Sequence, residues 1–284
     1  MLRIATFNIG LARLRLAGIP VVDAVPHAAA RLPHIVDALA ANRPGADIWL
    51  LQEAYHPGVV SNFRDLDGFT TFAAADAGQD TGLCILVRAD WKADGLSVTR
   101  FRPLDWLETV VARKGAMCVN VDTPMGRITV GNLHASYDGR GRRSIREKAP
   151  GLRAEQVAQS VAFMEARAAG RTKFLGGDFN LSGAHESAGH AAATDRGWRD
   201  LREDANTHDD AGVRSWSLAN PLASGNPGEN SHDIDLIFMK DAGREMAVRT
   251  AHVFTEPSVA LPDGRNVPLS DHYALMAEVE PVNG

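Results

Sequence analysis

Eight polar residues of this chain fall at the ends of predicted strands, and their types point to the handling of a charged oxygen or a metal. Asn8 closes ATFN, Glu53 closes IWLLQE, and His134 closes VGNLH. Asp178 and Asn180 follow the apolar run FLGG, Asp235 lies within DIDLIF, and Asp271 and His272 open the last strand in SDHYALM. In layered α/β proteins strand ends are where ligand groups gather, because loops there escape the packing that fixes the middle of a sheet. Glu53, Asn8 and Asp271 offer oxygen donors and no thiolate, which suits a hard divalent cation such as Mg²⁺ rather than zinc. Asp235 interrupts the apolar stretch 234–239; pointing inward it is costly unless paired, and His272 is the natural partner.

Each residue alone has an ordinary structural reading. Asn8 suits a turn, Glu53 an exposed loop, His134 a hydrogen-bonded core position and Asp178 a helix cap. The case rests on the set. Several other chemistries lack their motifs: no HExxH, CxxC or GxxxxGK[ST] occurs, and no GxSxG elbow accompanies Ser270. Ser270, Asp271 and His272 cannot form a triad among themselves, because neighbours on a strand point to opposite faces.

The elements that must position these residues follow a mixed rhythm. Apolar, β-branched runs predict strands at Arg3–Ile9, Asp47–Gln52, Phe69–Phe72, Leu83–Arg88, Leu96–Phe101, Met117–Val121, Ile128–Leu133, Lys173–Gly176, Ile234–Met239, Ala247–Phe254 and Tyr273–Val279. Apolar spacing of three and four predicts helices at about His27–Ala41, Gly58–Leu66, Leu152–Ala169 and Ala184–Asp195. Strands mixed with helices in both halves predict an α/β (α+β) four-layer sandwich: two mixed sheets face to face, with helices outside. Two stretches break the pattern, the basic DGRGRRSIREK (Asp138–Lys148) and the turn-rich SLANPLASGNPGENSH (Ser217–His232).

The 284 residues suffice for one large domain, taken as 1–284. A net charge of -5 speaks against holding nucleic acid by bulk positive charge. No window is long and apolar enough to span a bilayer, so the chain reads as soluble, cytoplasmic as given, and secreted if a leader was removed. Cys84 and Cys118, both in apolar runs, read as buried free thiols.

Taken in order, TFN, LQE, NLH, GGDFN, DIDLIF and SDH resemble the motif series of the endonuclease/exonuclease/phosphatase superfamily, which includes pancreatic deoxyribonuclease, abasic-site endonucleases, inositol phosphatases and neutral sphingomyelinases. The resemblance runs from Asn8 to His272. It implies a DNase I-like fold and a metal-dependent hydrolase of phosphate esters. It further implies that Glu53 holds Mg²⁺, with Mn²⁺ or another divalent cation as alternatives, and that Asn8 and Asp271 lie close by. His272, oriented by Asp235, would activate the attacking water, a role Asp178 could share. Asn180 would bond phosphoryl oxygens or the water, and His134 the phosphate or leaving oxygen. Gly176 and Gly177 would let the backbone approach so that Asp178 and Asn180 face the phosphate. The series more often reads Arg-Ile-Asp where this chain has Asp233, Ile234 and Asp235.

TGLCILVR, RKGAMCVNV with its Lys114–Gly115 pair, NLHASYDG and LSDHYALMAEVE are most similar to the neutral sphingomyelinase branch. The expected substrate is therefore a phosphodiester, a phospholipid headgroup first and nucleic acid second, with peripheral membrane contact in the lipid case and a monomeric enzyme. No aromatic hairpin or basic amphipathic helix for membrane docking is evident; Trp106 and Trp216 are the candidate contacts. Arg140, Arg142, Arg143, Arg146 and Lys148 supply the nuclease alternative. A non-catalytic protein on the same fold predicts the loss of a site residue, whereas all eight are present.

Overall fold

The computed structural model describes all residues except 17–18, 103–107, 109–112, 138–146, 168–169, 182–186, 206, 209–211, 224–229, 242, 244 and 283–284. Trp106 and Arg140, Arg142, Arg143 and Arg146 therefore lie outside the described residues. In chain order the first elements are β1 (Leu2–Asn8), β2 (Arg13–Leu16), β3 (Ile19–Asp23), α1 (Ala28–Ala41), β4 (Ile48–Gln52), α2 (Pro57–Arg64), β5 (Phe69–Ala73), β6 (Cys84–Arg88), β7 (Ala93–Arg100), β8 (Gly115–Thr123) and β9 (Gly126–His134). After these come α3 (Ala149–Arg167), β10 (Lys173–Asp178), α4 (Ser187–Thr194), β11 (Arg199–Asp200), β12 (Thr207–His208), β13 (Asp235–Lys240), β14 (Met246–Val253), β15 (Val259–Ala260), β16 (Asn266–Val267) and β17 (Ala274–Pro281).

A seven-stranded sheet runs β12-β14-β17-β1-β4-β6-β5, and a six-stranded sheet runs β11-β13-β10-β9-β8-β7. Both are mixed: β1 with β4 and β9 with β10 are parallel, while β1 with β17 and β10 with β13 are antiparallel. The alternation of side chains along each strand builds the layers. Ile4, Leu50, Ile85 and Leu275 of one sheet meet Val119, Val130, Phe174 and Ile237 of the other in a central core. Phe7, Trp49, Leu51 and Leu86 turn outward onto Ile35 and Leu39 of α1 and Phe63 of α2. Leu133, Leu175 and Phe238 turn outward onto Val157, Val161 and Met164 of α3 and Ala193 of α4. The result is the expected α/β sandwich of four layers. Cys84 and Cys118 are free and buried.

The hairpin β2–β3 was not anticipated. Pro20 demotes its second strand in any sequence reading, and the pairing shifts register between Leu14 and Arg15. In the hairpin β8–β9, β8 runs two residues beyond its apolar run at each end, and β9 begins two residues before its run and ends one after it, at His134.

Towards one end the inter-sheet layer turns polar. Thr6 and Gln52 continue the inward faces of β1 and β4, and Asn132 that of β9. Gln52 Nε2 donates to Asn132 Oδ1 at 2.7 Å and to Thr6 Oγ1 at 3.1 Å. Asn132 Nδ2 reaches the carbonyls of Leu51 and Cys84 across the gap. This amide network separates the apolar core from the groups at the strand ends.

Candidate active site

Period-2 alternation carries Asn8, His134, Asp178 and Asp235 onto the inward side of their strands, one step beyond the polar layer. Register aligns them: Asp178 is paired with His134 on one side and with Asp235 on the other. Gly176 makes the close packing of sheets possible, since a Cβ there would stand 2.6 Å from Leu50 Cδ1. Gly177 has φ +149, and a Cβ would stand 2.0 Å from the Leu133 carbonyl oxygen. The two glycines thus serve sheet packing, and they set Asp178 in place through it.

Asp178 is the hub. Its Oδ2 accepts from Asn8 Nδ2 at 2.9 Å and lies 3.2 Å from His134 Nε2 and 4.0 Å from His272 Nε2. Its Oδ1 accepts from the Asn180 backbone N–H at 2.9 Å. Asn180 sits at φ +53, a left-handed conformation that asparagine tolerates, and its Nδ2 donates to the Ala135 carbonyl. Burial would push the Asp178 carboxyl up, but His134, His272 and the Lys114 ammonium outweigh it and hold the group below the usual carboxylate range.

His272 Nδ1 meets Asp235 Oδ2 at 2.7 Å, joining a residue that precedes β17 of one sheet to the first residue of β13 in the other. Both side chains are buried. Burial works against the imidazolium, yet Asp235, Asp271 and Asp178 prevail and raise His272 to about 10. Asp235 is therefore paired, as its place in an apolar run requires.

Asn8 and Asp271 flank Gly10, and Glu53 reaches the same turn two residues on, at Ala12. The Gly10 N–H donates to Asn8 Oδ1 at 3.0 Å, and the Ala12 N–H donates to Glu53 Oε2 at 3.1 Å. A Cβ on Gly10 would lie 2.8 Å from Asp271 Oδ1 and 2.9 Å from Ser270 Oγ, so only a glycine, here at φ +59, lets the turn pack this closely against that carboxylate. Glu53 occupies φ +64. Burial raises the Asp271 carboxyl, and the charge of Glu53 raises it further against His272 and Arg31. Two carboxylates that burden one another beside an amide oxygen fit a divalent cation. Among the described residues, Asp178, Asp235 and His272 also bring potential ligand atoms within 4.8 Å of one another, and so do His190, Asp200 and Glu203. Neither group includes Glu53 or Asp271.

Two further residues belong to the site. Lys114 is buried with its Nζ against His134 Nε2, and burial lowers its pKa against the pull of Glu53, Asp178 and Glu108. Nothing in RKG marks that lysine as inward; the register of β8 on β9, which pairs Gly115 with His134, decides it. Arg31 is fully buried and donates to the carbonyls of Ile9 at 3.1 Å, Leu269 at 2.6 Å and Gly10, tying the turn after β1 to the loop that carries Asp271. Its place on the buried stripe Ala28, Arg31, Ile35, Leu39 of α1 was the available signal.

Trp216, half-buried, bridges by backbone to His232 and His272 at the site's edge. Lys148 is exposed just before α3. Asp233 occupies the position where arginine is more usual, and it pairs with Arg202 and with Arg214 at 2.6 Å.

The solved structures that this chain is similar to share its fold at low identity. Sphingomyelinase C from Streptomyces griseocarneus aligns with a TM-score of 0.74 at 20% identity, covering 99% of this chain and 99% of that chain. Beta toxin 275-280 from Staphylococcus aureus gives 0.72 at 15%, covering 98% and 99%. TDP2 of D. rerio, complexed with single-strand DNA product, gives 0.70 at 18%, covering 98% of each. No curated protein sequence matches. A sequence profile described as the Endonuclease/Exonuclease/phosphatase family matches residues 5–272. With that match running from β1 to the His272 that pairs with Asp235, the chain belongs to the endonuclease/exonuclease/phosphatase family, divalent-metal-dependent hydrolases of phosphoric esters.

Proposed function

We propose that this chain is a Mg²⁺-dependent phosphodiesterase of the sphingomyelinase or phospholipase C type, working as a single unit over 1–284. The observation that carries the reading is the convergence on Asp178 of Asn8, His134, Asn180 and His272, with His272 itself held 2.7 Å from Asp235.

Glu53, Asp271 and Asn8 would hold the ion, which when bound neutralises phosphoryl charge and offsets the field that keeps His272 protonated. The chain's own residues do the rest. Asp235 fixes the Nδ1–H tautomer of His272 and so turns Nε2 towards the cleft, where it takes the proton of the attacking water. Asp178 orients Asn180 and His134, which donate to the phosphoryl and leaving oxygens. The Lys114 ammonium behind His134 adds positive charge where negative charge grows in the transition state.

The lipid reading draws on the motif detail around Lys114 and His134 and on the net charge of -5. The sphingomyelinase C similarity agrees in fold. The basic run ending at Lys148 favours a second reading, hydrolysis of DNA or RNA. One assay separates them: purified protein, with Mg²⁺ or with chelator, on sphingomyelin vesicles and on supercoiled plasmid. Chelator-sensitive phosphocholine release without nicking is the expected result. Nicking without release makes the protein a nuclease, and neither product overturns the proposal.

A further inference from the structure

Asp235 and His272 come from different sheets, so something must hold their backbones in step if a 2.7 Å contact is to persist. The segment before β13 supplies this. Ser215, fully buried, accepts on its Oγ the N–H groups of Ile234 and Asp235, both at 3.0 Å, while its carbonyl accepts the Tyr273 N–H at 2.7 Å. One residue thus grips the backbone of Asp235 and that of the neighbour of His272. Trp216, next in sequence, bridges to His272 as well.

Ser215 is held in turn by Asp233, whose Oδ1 accepts the Ser215 N–H at 3.0 Å and lies 3.4 Å from Nε2 of the buried His252. The other oxygen pairs with Arg214 at 2.6 Å and with Arg202. Asp233 is also where this chain departs from the Arg-Ile-Asp pattern. An arginine has no acceptor for the Ser215 N–H and would repel Arg202 and Arg214.

We propose that Asp233 is a positioning residue, which through Ser215 keeps Asp235 and His272 in register across the two sheets. This rests on the catalytic reading of His272 given above. Its action is on geometry, so its loss moves turnover more than substrate binding.

The test combines kinetics on bis(p-nitrophenyl) phosphate with NMR of the histidine rings in ¹⁵N-histidine-labelled protein, the His272 Nδ1–H signal being assigned by its absence in His272→Ala. In Asp233→Ala, kcat is expected to fall about 10- to 100-fold with KM nearly unchanged, and the His272 Nδ1–H signal to broaden or vanish. Asp233→Asn keeps an oxygen for the Ser215 N–H and should restore the signal and most of kcat. A wild-type His272 signal and kcat in Asp233→Ala overturn the inference. If that variant does not fold, Ser215→Ala decides, since it cuts the same chain one link later; a wild-type signal there also overturns it. Full turnover in His272→Ala would sink the catalytic reading instead, and the NMR signal would still report whether Asp233 sets the geometry.

Discussion

His272 Nδ1 and Asp235 Oδ2 lie 2.7 Å apart across the two sheets, and both side chains are buried. Asp235→Asn keeps the shape and removes the charge that orients and supports the imidazole. The expected loss in kcat is about 10²- to 10⁴-fold, the range for removing acid–base catalysis. Turnover at neutral pH with Mg²⁺, alongside an unchanged far-UV circular dichroism spectrum, checks it.

The charge of Glu53 adds to burial in raising the Asp271 carboxyl, which packs against Gly10. On the proposed assignment, Glu53→Gln should weaken Mg²⁺ binding by at least about tenfold, since the cation would lose one of its two carboxylates. Calorimetric titration measures this without any substrate. Undiminished Mg²⁺ affinity in the variant would move the cation elsewhere, the Asp178, Asp235 and His272 group being the next place to look.

Gly176 and Gly177 should differ in how they tolerate alanine. At Gly176 the new methyl meets Leu50 Cδ1, a side chain that can give way, so Gly176→Ala should cost about 1–3 kcal/mol. At Gly177 it meets the Leu133 carbonyl of the neighbouring strand at 2.0 Å, with φ at +149, so the β9–β10 pairing itself must yield. Urea midpoints should place Gly177→Ala well below Gly176→Ala, and the reverse order would contradict the packing described.

Glu165, late in α3, accepts from Lys240 at 2.8 Å and from Trp198 at 3.3 Å, and pairs with Arg196. Burial pushes its carboxyl up, but those partners prevail and bring it down to about 2. A folded-state value below the unfolded 4.5 means that the stabilisation is present above about pH 4.5 and drains away as pH falls towards about 2. Thermal midpoints of Glu165→Gln should therefore lie below those of wild type at neutral pH, with the gap closing as the solution is acidified through that window. A gap that is constant with pH would assign the effect to packing.

Much of the architecture was legible because strand and helix periodicities are local. Alternation in ATFN, IWLLQE and DIDLIF defines two faces per strand, and the four-residue stripe of α1 defines one. The β2–β3 hairpin escaped for the opposite reason, its proline and bulge erasing the local pattern. Lys114 escaped as a site residue because only the register of β8 on β9 sets its direction; Arg31 lay on the buried stripe of α1, but the carbonyls it binds, such as that of Leu269, come together only in the folded chain.

The sequence by itself determined which groups were available: oxygen donors at Asn8, Glu53 and Asp271, two histidines, and carboxylates at strand ends, in an order that fits one family. Tertiary structure decided how they combine. Asp178 became the hub because β9, β10 and β13 align His134, Asp178 and Asp235 side by side. Asp235 met His272 because two sheets pack face to face with Ser215 bridging their ends. Contacts between residues 37 to 170 positions apart, such as His272 with Asp235 and Asn8 with Asp178, are set by sheet order and register, which no local pattern encodes.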